Sequence, residues 1–138
     1  MPVDVEVLSR VWLLEGLERQ ELEPLADAFR EHTFPEGATI TREGARGARV
    51  LAFFIIAEGR ASVVVGGERK AELGPGDHFG EIALVHDLPR TATVTAETDL
   101  RCFALGAWEF RPFVEANPKV AWPILECMAR RLGETAPQ

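Results

Sequence analysis

The sequence predicts a mainly β domain: a barrel of short strands with helices before and after it. Three observations carry that prediction. Residues 31–105 break into short apolar or alternating runs punctuated by Gly and Pro, the rhythm of a barrel or sandwich. The segments on either side instead repeat apolar residues at i, i+3, i+4 and i+7, the spacing of a helix with one apolar stripe. The length of 138 residues suits one domain, long enough to bury roughly two-thirds of its unfolded surface.

The elements follow in order. Leu8/Val11/Trp12 and Leu22/Leu25/Ala26/Phe29 give two N-terminal helical stripes. Pro24 is expected near the start of the second, where a missing N–H costs least. Glu15, Glu18, Glu21 and Glu23 read as a solvated face. Val50–Ile56 is nearly all apolar, as a strand buried on both faces would be. Ala61–Val65, Gly66-Gly67 and Glu68–Leu73 read as a hairpin whose turn needs positive φ. Thr91–Ala96 and Leu100–Leu105 are two further strands. From Trp108 onward the pattern is helical again. Asn117-Pro118 makes a helix start, Val120, Ile124, Leu125, Met128 and Leu132 lie along one face, and Gly133 and Pro137 end it. That face either docks as core or pairs two chains. Residues 1–138 are thus expected to form a single domain, with helices in 1–30, the β region in 31–105 and helices in 106–138.

Composition narrows the function classes. Net charge is −7, and residues 1–36 hold nine acidic residues against three basic, which repels a nucleic-acid backbone. No apolar run reaches the ~18 residues that cross a membrane. Asp4 and Glu6 stand where a signal peptide would be basic, so a cytoplasmic setting is expected. Cys102 and Cys127 lie in apolar periodic segments and read as buried reduced thiols. His32, His78 and His86 form no ligand pair, so no metal is expected. No Ser-His-Asp order or paired acids suggest catalysis. A metal-dependent enzyme of cupin type would share the strand-and-glycine rhythm but would need clustered His ligands.

The stretch "DHFGEIALVHDLPRTATV", residues 77–94, brackets a very short apolar run with one glutamate and one arginine. Gly74, Gly76 and Gly80 let the backbone turn sharply and approach a ligand. Gly80–Leu84 is about one helical turn, and the first amides of a helix lack internal partners and favour anions. Arg90 can add a charge-assisted bond to the same anion. Glu81 would repel an anion but accept hydrogen bonds from hydroxyls, as a ribose offers. The pattern describes a sugar phosphate or nucleotide. A surface salt bridge between Glu81 and Arg90 is the competing reading of these residues.

"FGEIAL" at 79–84 followed by "PRTATV" at 89–94 resembles the phosphate-binding cassette of cyclic nucleotide-binding domains. Glu43-Gly44, Gly59 and "GPGDHFGE" at 74–81 sit where that family places its β-roll glycines, and the resemblance covers roughly residues 8–133. "FVEANPKVAWPILECMARRLGET" at 113–135 resembles the long helix of bacterial catabolite-activator-type regulators, which pairs subunits.

The resemblance implies an eight-stranded β-roll, of jelly-roll type, with helices at both ends and a cassette over 79–92. It implies that Gly80 and the amides of Glu81, Ile82 and Ala83, with the Arg90 side chain, hold a cyclic phosphate. Glu81 would take the ribose 2′-hydroxyl, Thr91 would lie near phosphate or base, and Ala92 would permit close approach. The implied ligand is cAMP, with cGMP the alternative, and the implied role is a sensor module. A vestigial socket on an interaction or dimerisation domain is the other reading, with a second copy or an effector protein as partner. The segment "ARGARVLAFFIIAE", residues 45–58, is roughly three residues longer than the family's usual spacing and lacks an acidic residue often found there, which predicts a longer turn or a bulge. Thr135 is the one base-capping candidate the resemblance suggests.

Overall fold

The computed structural model describes residues 4–44, 52–80 and 92–135. Helix α1 (Val5–Ser9), a 3-10 turn (Trp12–Leu14) and α2 (Arg19–Ala28) precede the strands. Eight described strands follow: β1 (Arg30–Phe34), β2 (Thr39–Thr41), β3 (Ala52–Glu58), β4 (Ala61–Val65), β5 (Glu68–Leu73), β6 (His78–Phe79), β7 (Thr93–Ala96) and β8 (Leu100–Gly106). Helix α3 (Ala107–Ala116), a 3-10 turn (Pro118–Val120) and α4 (Ala121–Thr135) complete the chain. The expected class, mainly β with flanking helices, is the class observed.

The strands form two four-stranded antiparallel sheets, ordered β1-β8-β3-β6 and β2-β7-β4-β5. Their inner faces meet in one apolar cluster of Phe54, Ile56, Ala61, Val94, Ala96, Leu100, Cys102 and Ala104. Phe34, Ile40, Val63, Leu73 and Phe79 pack around it. Burying each large side chain contributes about 1.5–3 kcal/mol, so this cluster is the main reason the two sheets stay together. Phe53, Ile55 and Leu105, on the opposite face of their sheet, are buried as well. The near-continuous apolar run of β3 therefore has the physical cause the sequence suggested: both of its faces leave water.

The hairpin is as expected. Gly66 and Gly67 have φ of 59° and 80°, the left-handed pair that a two-residue turn requires. Register shifts at Thr39/Thr41, Ile56/Glu58 and Val63/Val64 mark bulges where the sheets bend. The expected lengthening before the buried strand falls on residues 45–51, outside the described residues.

The described parts of residues 1–29 and 108–138 form one compact unit, and residues 30–107 another. In the helical unit Leu8, Val11, Leu13, Leu14, Leu22 and Leu25 are almost wholly buried. Gly16 lies so close to α4 that a Cβ there would come within 2.9 Å of the Pro123 Cβ, and Glu15 pairs with Arg130 at 3.7 Å.

Four details differ from the sequence reading. The first stripe is not one helix but α1 and a 3-10 turn, because Val11 is extended at φ −73°, ψ 123°. Pro24 sits inside α2 rather than in its first turn. Gly133 does not stop α4, which continues to Thr135; a glycine in a helix costs only about 1 kcal/mol. The stripe on α4 also splits. Val120, Ile124 and Cys127 are buried, but Leu125 and Leu132 are 53% and 69% exposed. They share a face with Trp122, itself 68% exposed, because residues three, seven and ten positions apart return to one side of a helix.

Candidate functional site

The described flanks of the 77–94 stretch are held tightly. On the entry side, the Asp77 carboxylate accepts the Gly74 amide at 2.8 Å, and the Gly74 carbonyl accepts the Asp77 amide at 3.0 Å. This turn is tied to β3 by two backbone bonds, Gly76 N to Ile56 O at 2.8 Å and Ile56 N to Asp77 O at 2.9 Å. β6 then pairs with β3, which puts Phe79 opposite Phe54 with stacked rings 5.0 Å apart. His78, the alternate residue, meets the Phe53 ring edge-on at 5.6 Å. The last described residue on this side, Gly80, has φ 85°.

On the exit side, Ala92 leads into β7 in the other sheet. The Thr41 hydroxyl donates to the Ala92 carbonyl at 3.3 Å. The Glu43 amide donates to the Thr93 hydroxyl at 3.0 Å, and the Glu43 carboxylate accepts the Gly66 amide at 2.8 Å. The two described flanks of the stretch are thus anchored on different sheets. Of the seven expected site residues, the structure places Gly80 at the entry and Ala92 at the exit. Glu81, Ile82, Ala83, Arg90 and Thr91 lie outside the described residues.

Sequence reasoning missed Thr41, Thr93 and the role of Glu43. Thr93 carried a weak signal, as a hydroxyl in an alternating Thr/Val strand. Glu43 was noted only beside its glycine, because a bond between positions 43 and 66 leaves no local trace.

Elsewhere on the strand unit, an open pocket of about 460 Å3 is lined by Thr33, Phe34, Pro35, Glu58, Asp99, Leu100 and Arg101. Arg101 donates to Glu58 and to Glu31 at 3.0 Å each, and these hydrogen bonds, Glu58's first, raise its pKa. Its charge is committed to two carboxylates, and neither Gly80 nor Ala92, the two described site residues, lines this pocket. A second surface network joins Arg69 to Glu97 at 2.6 Å and to Glu72 at 3.2 Å, with Arg60 3.5 Å from Glu72. Among the described residues no His, Cys, Asp and Glu cluster with the geometry of a metal site. Cys102 and Cys127 are both buried and unpaired, and burial pushes the Cys102 thiol up to about 11.

Comparison with known proteins agrees with this architecture. The cyclic nucleotide-binding domain model matches residues 31–117, which span both sheets and the whole 77–94 stretch. The chain is 34% identical over 131 residues to the cyclic nucleotide-gated potassium channel mll3241 of Mesorhizobium japonicum, a match over 95% of this chain but 36% of the channel. It therefore spans about a third of the length of that relative. The N-terminal domain of a transcriptional regulator from Streptomyces coelicolor A3(2) superposes with a TM-score of 0.82 at 31% identity, covering 94% of each chain. The cAMP-bound PfPKA-R structure superposes with a TM-score of 0.66 at 26% identity, covering 94% of this chain and 45% of that one. The two-sheet architecture and the match over residues 31–117 have one conclusion: the chain belongs to the cyclic nucleotide-binding domain family.

Proposed function

We propose that this chain is a single sensor domain that binds cAMP in preference to cGMP and has no catalytic activity of its own. The observation that carries this reading is the family match over residues 31–117, within which the Gly-Glu and Pro-Arg pairs of the cassette are both present. The likeness to a cAMP-bound structure favours cAMP over cGMP. In this reading Gly80 and the amides of Glu81, Ile82 and Ala83 bind the cyclic phosphate together with Arg90. Glu81 accepts the ribose hydroxyl, Thr91 lies beside phosphate or base, and Ala92 leaves room for both. A net charge of −7 makes a nucleic acid an unsuitable ligand for this chain alone. Two free buried cysteines suit the reducing cytoplasm. No described helix is long and apolar enough to cross a membrane.

Calorimetric titration with cAMP and cGMP tests the reading. Losing one charged hydrogen bond of ~1.5–3 kcal/mol makes Arg90→Ala bind cAMP roughly 10- to 100-fold more weakly. Equal affinity in wild type and Arg90→Ala would refute this placement of the phosphate. Absence of binding to both nucleotides, in folded and nucleotide-free protein, would refute the sensor function and leave an interaction module.

One observation supports a protein partner as well. Trp122, Leu125 and Leu132 form an exposed apolar stripe on α4, a surface suited to a second copy of this chain or to an effector helix.

A further inference from the structure

We propose that Glu43 is a positioning residue for the nucleotide socket, joining the tip of the β4–β5 hairpin to the strand that carries the cassette's exit. This inference rests on the cyclic-nucleotide reading of residues 79–92. The β2–β7 ladder is irregular between Thr39 and Thr41 and has its last register pair at Thr41–Val94. Beyond that pair, side-chain bonds take over from the ladder: Thr41 Oγ1 to Ala92 O at 3.3 Å, and Glu43 N to Thr93 Oγ1 at 3.0 Å. The end of β2 therefore holds the start of β7 from one side.

The Glu43 carboxylate extends this tether in the other direction. Its Oε1 accepts the amide of Gly66 at 2.8 Å. Gly66 is the first residue of the two-residue turn between Val65 and Glu68, where a hairpin leaves the amide without a ladder partner. An exposed carboxylate has water as its alternative partner, so a directed bond across 23 positions of sequence marks a specific tether. The lever is short. Arg90 precedes Ala92 by two residues, a chain length of at most ~7 Å. Binding constellations lose their effect when displaced by more than about 0.5 Å. The tether thus acts two residues in sequence from the residue assigned the cassette's positive charge.

The test compares cAMP titrations of the full chain as wild type, Glu43→Gln and Glu43→Ala, with the melting temperature of each and the exchange rate of the Gly66 amide. Gln keeps an acceptor oxygen at the same position, so Glu43→Gln is expected to bind within about twofold of wild type and to keep Gly66 protected. Glu43→Ala is expected to bind cAMP about three- to tenfold more weakly, with Gly66 exchanging faster. If Glu43→Ala binds as tightly as wild type, the positioning role is wrong although the nucleotide site stands. If Gln and Ala weaken binding equally, the acceptor bond is not the cause and the inference is likewise overturned. If wild type binds neither cAMP nor cGMP, the nucleotide reading itself fails and this inference with it.

Discussion

Replacing Gly59 by alanine offers a direct check on the geometry that closes the roll. Gly59 links β3 to β4 and has φ 95°, a region in which an L-residue costs about 1–2 kcal/mol. A Cβ at this position would lie 2.3 Å from the Asp99 carbonyl oxygen, 2.9 Å from Thr98 Oγ1 and 3.2 Å from Leu100 Cα. Two of these three contacts are backbone and cannot rotate away, so the β7–β8 turn must shift by close to 1 Å, a form of overpacking that costs about 1–3 kcal/mol. The same turn holds Arg60 through the Thr98 hydroxyl at 3.0 Å and the Glu97 amide at 2.9 Å, so the displacement reaches both sheets. The expected total is about 3 kcal/mol. In a chain of this length that lowers the melting temperature by roughly 10 °C.

Two other glycines separate the causes. Gly66 has φ 59° but nothing within 4 Å of its Cβ position, so Gly66→Ala shows the backbone cost alone, about 1 kcal/mol. Gly74 has neither a positive φ nor a close neighbour, so Gly74→Ala is neutral or stabilising by a few tenths of a kcal/mol. Urea denaturation of the three variants against wild type provides the comparison. If Gly59→Ala proves no less stable than Gly66→Ala, the close approach of β3's end to Asp99 is not what the structure shows, and the reasoning fails.

Two further predictions concern Cys102 and the outer face of α4. The Cys102 pKa is raised by burial to about 11, above the ~8.5–9 of an unfolded cysteine, so the unfolded chain loses this proton first. Stability from this group is complete below pH ~8.5 and is lost as the pH rises towards 11, by on the order of 2 kcal/mol; a pH series of urea midpoints that is flat from 8 to 11 would contradict it. On α4, Trp122→Glu and Leu132→Glu remove the exposed apolar stripe at little cost to the fold, because neither side chain is buried. If the stripe pairs two copies, as proposed, sedimentation shows a wild-type dimer and a monomeric double variant, whereas a chain that is monomeric with and without these substitutions would leave the stripe without a self-pairing role.

Much of the fold was legible because it is written in local patterns. The Gly66-Gly67 turn names its own conformation, since few residues other than glycine take positive φ twice in succession. β3 declared itself through Phe53–Ile56, a run that only burial on both faces explains. The 77–94 stretch was legible only as far as a family resemblance: its residue types alone left a Glu81–Arg90 salt bridge open beside an anion site, and Glu81 and Arg90 lie outside the described residues. Periodicity was a poorer guide on α4, where it assigned Leu125 and Leu132 to the same face as Val120 and Ile124. Helical spacing identifies apolar stripes but not which of two stripes meets a neighbour, and here one is buried and the other faces out.

The sequence by itself determined the class of fold, the hairpin, the buried strand and the resemblance to the cyclic nucleotide-binding family. Each depends on contacts within a few residues or on backbone freedom at one glycine. Tertiary structure alone decided that the cassette's ends belong to different sheets, that Gly59 must lie against Asp99, and that Glu43 reaches Gly66 while its neighbour Thr41 holds Ala92. Those facts join positions 23 to 51 apart in the chain, or 40 in the case of Gly59 and Asp99, and no local pattern encodes them. They arise only when the two sheets close over their shared core and bring the ends of distant strands within hydrogen-bonding range.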